Sequence, residues 1–364
     1  MSKDLYAGLM SGTSLDGVDA VVADFSAHEP RLLGSFFLPY PDALRQQLLA
    51  LNDAGHDELR RAAELSVELA TLYSEAVRGA LHAAGIPAGD VRAIGCHGQT
   101  VRHQPAAGYS LQLNNPALLA ELTGIAVVAD FRNRDVAAGG QGAPLVPAFH
   151  EHILRAADRH RVVLNIGGIA NVTDLAPGKP TRGFDTGPGN ILMNAWTAKH
   201  LGTPHDDGGK WAASGWVLMA LRAKLLAHPF LAQPAPKSCG REEFHLGWLA
   251  PLLDGSEAPA DVQTTLLEFT AESIASAILR ECGQPQEVLV CGGGVHNGFL
   301  MARLQTFLSP ARVVSTESFG VSPDFLEALA FAWLAQRAVE GRPGNLPEVT
   351  GARGARVLGA IYPA

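Results

Sequence analysis

GLMSGTSLDGVD, residues 8–19, joins two β-like runs near the start of the chain. Its small and hydroxyl residues predict a tight turn whose backbone N–H groups face an anion such as the phosphates of ATP. Asp16 and Asp19 suit a hydrated metal ion or a turn. The segment lacks the Gly-x-x-x-x-Gly-Lys-Ser/Thr spacing of a Walker A loop. A plain hairpin turn is the alternative, because glycine, serine, threonine and aspartate are common in turns that bind nothing.

The composition indicates a globular enzyme with a substantial core. The length of 364 residues suggests two domains, and 47% hydrophobic with 18% charged residues is ordinary for this class. The net charge of −8 argues against nucleic acid as a partner, and no apolar run is long enough to span a membrane. The N-terminal residues lack the apolar core of a secretory signal, and the four cysteines are scattered. We therefore expect a cytoplasmic protein without a disulfide framework or structural zinc.

Alternating strand and helix patterns predict an α/β fold. Residues 5–10, 18–24 and 32–40 are predicted to form an antiparallel meander, and apolar spacing indicates a long helix over 58–84. The further predicted strands are 91–96, 109–113, 125–130, 161–166, 172–175, 287–291 and 312–315. The further predicted helices are 116–123, 191–200, 211–227, 261–281, 297–308 and 323–338. Residues 230–253 are predicted to be irregular, and Asp261 is the predicted N-cap of its helix.

The opening pattern of strand, glycine-containing turn and strand recurs near the middle of the chain. Residues 163–171 (VLNIGGIAN) repeat the arrangement of residues 5–14 (LYAGLMSGTS). Coincidence is the alternative, because hairpins with glycine are common. The spacing is too irregular for a solenoid array. A duplicated domain, with one copy in each half, explains the pattern better.

The segment GFDTGPGN, residues 183–190, combines a carboxylate, glycines and the start of a helix. Glycines let a ligand approach the backbone closely. The helix start offers free N–H groups and a positive dipole end to an anion. We favour Asp185 as a catalytic base in a glycine-lined cleft. The alternative is that Asp185 only caps the helix.

Other candidate positions each have a plain alternative. Gly292-Gly293-Gly294 leaves a flat backbone surface for a purine ring, or is a tight turn between a strand and a helix. His97 lies at a strand end, where ligand contacts gather, although a lone histidine is usually structural. Arg132 and Arg134 either bind a carboxylate or form surface ion pairs. Glu327 is either a buried acceptor for a sugar hydroxyl or an ordinary half-exposed glutamate.

Taken in order, these segments resemble the phosphate and adenosine segments of the actin/hexokinase/Hsp70 ATPase superfamily. Within it the chain is similar to the anhydro-N-acetylmuramic acid kinases over essentially its whole length. The motifs that carry the resemblance are GLMSGTSLDG (8–17), HGQT (97–100), VADFR (128–132), DVAAGGQGAPLVP (135–147), NIGGIAN (165–171), GFDTGPGN (183–190) and CGGG (291–294). Cys96 departs from the family pattern, which has serine before HGQT, and this puts a hydroxyl contact in doubt there.

The resemblance implies two ribonuclease-H-like, actin/hexokinase-type domains with an ATP cleft between them. The first domain would span residues 1–130 and be completed by 345–364, and the second would span 131–344. The implied activity is phosphorylation of 1,6-anhydro-N-acetylmuramic acid by ATP with Mg²⁺. The product would be N-acetylmuramic acid 6-phosphate, an entry to peptidoglycan recycling. The implied partners are the amino sugar and ATP, and the resemblance also suggests a homodimer.

The resemblance also carries roles over by position. Asp185 is implied to be the base that deprotonates a water, which attacks C1 so that the departing O6 takes the γ-phosphate. His97, Gln99, Arg132 and Glu327 would bind the sugar, with Arg132 as the partner of its lactyl carboxylate. The implied nucleotide-binding residues are Ser11, Gly12, Thr13, Ser14, Leu15, Asp16, Gly17, Gly167, Gly168, Gly187, Gly189, Asn190, Gly292, Gly293 and Gly294. Asp16 would also hold Mg²⁺, through water.

Rival functions stay open at the level of the sequence. A conventional sugar kinase of the same superfamily would use Asp185 to deprotonate a free hydroxyl. A nucleotide-driven binding module would need a peptide-binding appendage, for which we expect no spare segment. A carbamoyl- or adenylyl-transferring member would need metal-ligand histidines, and no His-x-x-x-His pair lies on a predicted helix.

Overall fold

The computed structural model describes residues 4–12, 14–240 and 242–364. Strands and helices alternate along it, as predicted for an α/β protein. The strands are β1 Leu5–Met10, β2 Gly17–Asp24, β3 Arg31–Pro39, β4 Val91–Cys96, β5 Gln99–Gln104, β6 Tyr109–Leu113, β7 Val127–Ala129, β8 Arg161–Ile166, β9 Ile169–Leu175, β10 Arg182–Pro188, β11 Glu287–Cys291, β12 Arg312–Ser315 and β13 Ala360–Tyr362. The helices are α1 Asp42–Leu49, α2 Glu58–Ala84, α3 Pro116–Thr123, α4 Phe131–Ala137, α5 Val146–Leu154, α6 Ile191–Leu201, α7 Met219–Leu226, α8 Pro229–Ala232, α9 Leu246–Leu249, α10 Pro259–Glu281, α11 Gly298–Leu308, α12 Leu326–Val339 and α13 Pro347–Thr350.

The described chain forms two compact units. The first unit comprises residues up to Ile153 together with Phe325–Ala364, and the second unit comprises Leu154–Asp324. These boundaries differ from the predicted ones at 130 and 345. The reason is aromatic packing in the first unit, where α4 and α5 meet α12 through the ring pairs Phe131–Phe331 (5.5 Å) and Phe149–Trp333 (5.8 Å).

The sheet of the first unit has the strand order β13-β7-β4-β1-β2-β3. Strands β1, β2 and β3 form the predicted antiparallel meander. Strand β4 is parallel to β1, and β7 is parallel to β4. The C-terminal strand β13 then pairs antiparallel with β7, so the end of the chain completes the N-terminal sheet.

Two long helices pack against the sheet of the first unit. Helix α2 contributes a buried apolar stripe to the same core as Leu5, Ala7 and Leu9, which alternate along β1. Helix α12 packs against β1 and β4. A Cβ atom at Gly8 or Gly95 would overlap a carbonyl oxygen of α12, so the backbones of helix and sheet approach as closely as they do only because these positions are glycine.

The sheet of the second unit has the strand order β10-β9-β8-β11-β12. Strands β8, β9 and β10 are an antiparallel meander, β11 is parallel to β8, and β12 is parallel to β11. This is the order and direction of β3-β2-β1-β4-β7 in the first unit. The two sheets therefore share one strand arrangement, as the repeated sequence pattern predicted for a duplicated domain. It is the ribonuclease-H-like arrangement that the resemblance implied.

Two helices of the second unit differ from their predicted bounds. The helix predicted over 211–227 is interrupted, because Gly215 is extended and a Cβ atom there would meet the backbone of Ala260. Asp261 does not cap α10, which begins at Pro259. Its carboxylate instead accepts a hydrogen bond of 2.7 Å from the Trp216 N–H.

No helix in residues 4–12, 14–240 or 242–364 is both long enough and apolar enough to cross a membrane.

Candidate active site

Asp185 lies in β10, next to a β-bulge, and not in the turn that the sequence predicted. It pairs with Asn171 of β9, whereas Gly187 pairs with Ala170, so Thr186 is the extra residue of the bulge. The Thr186 hydroxyl points inward and donates to the Ala170 carbonyl at 3.1 Å. Gly187 has a φ of 139°, which side-chain-bearing residues rarely adopt. The bulge therefore changes the direction of the strand directly after the proposed base.

The Asp185 carboxylate is held at one of its two oxygens. The Ser238 hydroxyl donates to Oδ2 at 2.9 Å, and the Cys239 N–H donates to the same atom at 3.0 Å. Burial raises the pKa of Asp185, while these two hydrogen bonds and the charge of Lys237 oppose the rise. The capping alternative is excluded, since the N-cap of α6 is Asn190 and Asp185 does not bond to that helix.

The segment that holds Asp185 is fixed to the second unit through Lys237. Its carbonyl accepts the Asp185 N–H at 3.0 Å. The Lys237 ammonium is buried and donates to the carbonyls of Phe230 (3.0 Å) and Leu231 (3.3 Å). Ser238 and Cys239 were not predicted, because residues 230–253 have no periodicity. A lysine and a hydroxyl residue within a proline- and glycine-rich stretch were the signal available.

The turn at Gly167-Gly168 faces the start of α6. The N–H groups of Gly189 and Ile191 donate to the Gly168 carbonyl, and the Asn190 N–H donates to the Gly167 carbonyl. The prediction of free N–H groups at this helix start is therefore wrong for these three residues. In the described chain the N–H groups of Gly167 and Gly168 themselves donate to no other backbone group. These two amides are therefore able to donate to an anion.

The glycines near this turn differ in how much space a Cβ atom would have. A Cβ atom at Gly189 would overlap the Gly167 carbonyl oxygen, and one at Gly292 or Gly294 would overlap atoms of β8. Gly293 differs, because the nearest atom to a Cβ atom there is the Asn190 amide nitrogen at 4.0 Å. Of the three glycines predicted to form a flat surface for a purine ring, Gly293 is thus the one with open space where a side chain would lie.

The loop after β1 places its predicted nucleotide-binding residues in two groups. Ser11 and Leu15 are buried, and Leu15 has a φ of 58°. The Ser11 hydroxyl bonds to the Tyr40 hydroxyl at 2.7 Å and to the Gln99 amide oxygen. Ser14 and Asp16 are exposed, with the Ser14 hydroxyl donating to Asp16 Oδ1 at 2.6 Å.

The remaining residues of this loop were predicted to bind nucleotide through their backbone. Gly17 is the first residue of β2 and pairs with Pro39. The Gly12 carbonyl accepts a hydrogen bond of 3.1 Å from the Gln99 amide. Thr13 lies outside the described residues.

His97 lies in a buried hydrogen-bond chain of the first unit. Its Nε2 atom is 2.8 Å from Nη2 of Arg132 and 2.9 Å from Nε2 of Gln112. Because arginine only donates, Nε2 is the acceptor, and the proton on Nδ1 is donated to the Ser11 carbonyl at 3.1 Å. Burial and then the charge of Arg132 lower the pKa of His97 to about 3. His97 is therefore a neutral imidazole that orients Arg132.

Arg132 and Glu327 keep unused polar atoms. Arg132 donates to the Gly142 carbonyl at 2.8 Å and to His97, while its Nε atom is buried without a partner. Burial lowers the pKa of Arg132 to about 10, opposed by Glu327. Burial raises the pKa of Glu327, opposed by Arg132, and no hydrogen bond to Glu327 occurs within the described chain. A buried donor without a partner, such as Nε of Arg132, indicates a site that a ligand completes.

Gln99 differs from the other predicted sugar-binding residues. Its side chain is fully buried, accepts from Ser11 and donates to the carbonyls of Gly12 and Thr100. Its amide therefore supports the loop after β1 and has little capacity left for a ligand.

The described residues contain no group of three or more His, Cys, Asp or Glu side chains placed to hold a metal ion. Asp16 is exposed and uses Oδ1 for Ser14. A single exposed carboxylate suits a Mg²⁺ ion that is bound mainly by phosphate oxygens and waters.

Comparisons with known proteins identify the family. The family model Anhydro-N-acetylmuramic acid kinase matches residues 4–364. A protein of that name from Nitrosospira multiformis is 56% identical, and the alignment covers 100% of each of the two chains. Another from Nitrosomonas europaea is 54% identical, and the alignment covers 99% of each chain. Among solved structures, the activator of the 2-hydroxyisocaproyl-CoA dehydratase from Clostridium difficile with bound ADPNP has a TM-score of 0.48 at 12% identity, covering 92% of this chain and 96% of that one. A ROK family glucokinase from Streptomyces griseus in complex with glucose and AMPPNP has a TM-score of 0.42 at 14% identity, covering 92% and 99%. On its sequence, the chain belongs to the anhydro-N-acetylmuramic acid kinase family.

Proposed function

We propose that the chain is an ATP-dependent kinase that opens the 1,6-anhydro ring of 1,6-anhydro-N-acetylmuramic acid with water and phosphorylates O6. The products are N-acetylmuramic acid 6-phosphate and ADP. Family membership supports the reaction. The single observation that carries the residue assignment is the Asp185 carboxylate, which has one oxygen held by two donors and the other without a partner in the described chain. Such a group is fixed in direction and still free to accept a proton.

The chemistry follows from the absence of a proton on O6 in the anhydro sugar. Asp185 takes a proton from a water molecule, whose oxygen forms a bond to C1 as the C1–O6 bond breaks. The released O6 bonds to the γ-phosphorus, and the bond from that phosphorus to the ADP oxygen breaks. Because phosphate captures O6, the leaving oxygen needs no separate acid, unlike the leaving group of a typical inverting glycosidase.

The sugar is proposed to bind at the side chains that keep unused polar atoms in the first unit. Arg132 supplies positive charge and an unpaired N–H for the lactyl carboxylate. Glu327 accepts a sugar hydroxyl, because its carboxylate has no partner in the described residues. Neutral His97 holds the guanidinium in place, and Gln99 acts through the loop that it supports.

ATP is proposed to bind through backbone groups of the glycine turns. The open N–H groups of Gly167 and Gly168 suit phosphate oxygens, and the open face of Gly293 suits the adenine ring. The loop that contains Ser14 and Asp16 would lie at the phosphates, with Asp16 as a water-mediated Mg²⁺ ligand. Mg²⁺ supplies neutralisation of the charge on the β- and γ-phosphates.

We place the reaction in the cytoplasm, where it would serve peptidoglycan recycling, and we propose a homodimer as the working form. All four cysteines are free in the structure, which suits a reducing compartment. Sedimentation velocity would report twice the chain mass of 38.3 kDa for the dimer.

A comparison of two sugars tests the proposed function. Product formation from MgATP would be followed by ³¹P NMR with the anhydro sugar and, separately, with N-acetylmuramic acid, which has a free O6 hydroxyl. We expect a sugar 6-phosphate signal from the anhydro sugar and far slower reaction with the open sugar. The opposite preference would make the chain a conventional sugar kinase, a reading that the names of its relatives do not favour.

A further inference from the structure

The two oxygens of the Asp185 carboxylate have different surroundings. Oδ2 accepts hydrogen bonds from the Ser238 hydroxyl (2.9 Å) and the Cys239 N–H (3.0 Å). No hydrogen bond to Oδ1 is present in the part of the chain that the structure describes. The protein therefore distinguishes two atoms that are equivalent in a free carboxylate.

This difference arises because Asp185 lies on an edge strand. Strand β10 is at the edge of its sheet, so its outer side is open to a further segment. Residues 237–239 fill this position, with the Lys237 carbonyl accepting the Asp185 N–H. The buried Lys237 ammonium ties the segment to the carbonyls of Phe230 and Leu231. The segment that carries both donors to Oδ2 is thus fixed by these hydrogen bonds.

We propose that Ser238 is a positioning residue, whose hydroxyl, together with the Cys239 N–H, holds Oδ2 of Asp185 and leaves Oδ1 as the oxygen that takes the proton from the attacking water. The proposal rests on the proposed function and names the working atom of its base. The proton moves from water to Oδ1 as the water oxygen bonds to C1, and it leaves to solvent after ADP formation.

The charges around Asp185 give the proposal a measurable sign. Among the residues that the structure describes, its titratable neighbours are the Lys237 ammonium and the Cys239 thiol. Burial followed by the Asp185 charge raises the pKa of that thiol to about 12. The thiol therefore stays neutral at working pH. Burial raises the pKa of Asp185, and the Ser238 hydrogen bond lowers it. Loss of the hydroxyl would raise this pKa further and keep the base protonated to a higher pH.

The first test compares Ser238→Ala with Ser238→Thr in the full chain. We expect the acid limb of the kcat/KM profile to move up by about one pH unit in the alanine variant. The threonine variant keeps a hydroxyl and should restore the limb. KM for ATP should not change in either variant. Ser238 is exposed, so neither change removes core packing. An acid limb that stays at the wild-type pH in Ser238→Ala would overturn the proposal.

A second measurement does not depend on activity. The chain would be labelled with ¹³C at aspartate carboxyl carbons, and the Asp185 signal would be identified by its loss in Asp185→Asn. We expect the Asp185 titration in Ser238→Ala to lie at higher pH than in the wild type, with Ser238→Thr in between or at the wild-type value. An unchanged titration would contradict the positioning role. A wild type that makes no sugar phosphate would refute the proposed function, and the titration would still decide the role of Ser238.

Discussion

The hairpins β1–β2 and β8–β9 open two sheets of the same strand order, yet their turns are built differently. In the first unit, the side chains of Ser11 and Leu15 fold inward and leave the Asp16 carboxylate exposed. In the second unit, the turn is Gly167-Gly168, whose carbonyls accept the N–H groups at the start of α6. The turn of the first unit thus exposes a carboxylate, whereas the turn of the second unit has only backbone groups.

The third strands of the two meanders differ in a second way. Strand β3 is an edge strand with exposed side chains such as Phe37. Strand β10 is also an edge strand, and both strands contain a bulge, at Leu33 in β3 and at Thr186 in β10. In β10 the bulge directly follows Asp185, and residues 237–239 flank the strand there. The shared topology therefore does not create the proposed base. The position of the bulge beside Asp185 and the adjoining segment 237–239, both in the second unit, do so.

The largest expected effect comes from removing the base that distinguishes the second unit. Asp185→Asn keeps the size and most hydrogen bonds of the side chain but cannot accept the proton. We expect kcat to fall by about 10²- to 10⁴-fold, with binding of ATP and sugar retained in calorimetric titrations. Asp158→Asn, at an exposed acid of the same unit, is the matched control and should leave kcat unchanged. Near-normal turnover in Asp185→Asn would remove Asp185 as the base.

The next effect concerns sugar binding in the first unit. Arg132→Ala removes the positive charge and the unpaired N–H, and we expect KM for the sugar to rise by about 10- to 100-fold, with KM for ATP little changed. Arg134→Ala is the control, because Arg134 is on the same helix and exposed. Equal increases in the two KM values would show that Arg132 is not the carboxylate partner.

A smaller effect should distinguish Gly168, which is proposed to face ATP, from Gly189, which is required by close packing. A Cβ atom at Gly168 would have its nearest neighbour at 3.9 Å, so Gly168→Ala should fold normally and raise KM for ATP by about tenfold, because the methyl group meets a phosphate. Gly189→Ala should instead lower the free energy of unfolding by about 1–3 kcal/mol, because its Cβ atom overlaps the Gly167 carbonyl. Thermal unfolding and ATP kinetics on both variants test this contrast. A destabilised Gly168→Ala with normal KM would reverse the assignment.

The smallest expected effect is in the pH profile. Asp185 must be ionised to act, and its pKa is raised, so kcat/KM should fall as the pH drops through a value above that of an ordinary aspartate. His97, with a pKa of about 3, stays neutral and should add no limb between about pH 5 and 8. His97→Gln should lower the activity without moving the acid limb. A limb that disappears in this variant would assign the titration to His97.

Sequence periodicity predicted the parts of the fold that depend on local patterns. The first meander, α2 and the alternation in the second half follow from apolar spacing, and glycine-rich turns marked both hairpins. Helices α4 and α5 were missed, because they are short and their packing partner α12 is far along the chain. The same packing places residues 131–153 in the first compact unit.

The proposed site was predictable where residues belong to local motifs. Asp185, His97 and Arg132 each lie in a recognisable segment. Ser238 lies 53 positions from Asp185, in a stretch without periodicity, and only folding brings the two together. The occupied N–H groups at 189–191 were also not predictable, since their acceptors are the carbonyls of a distant turn.

The central claim is that water opens the anhydro ring while O6 receives the phosphate. The most direct test is mass spectrometry of the product made from MgATP and the anhydro sugar in ¹⁸O-water, sampled before anomeric exchange, with unlabelled N-acetylmuramic acid 6-phosphate in the same water as the exchange control. We expect a sugar phosphate with one ¹⁸O atom at C1 and none in the phosphoryl group. A phosphorylated product that lacks the added labelled water, or no product at all, would contradict the account.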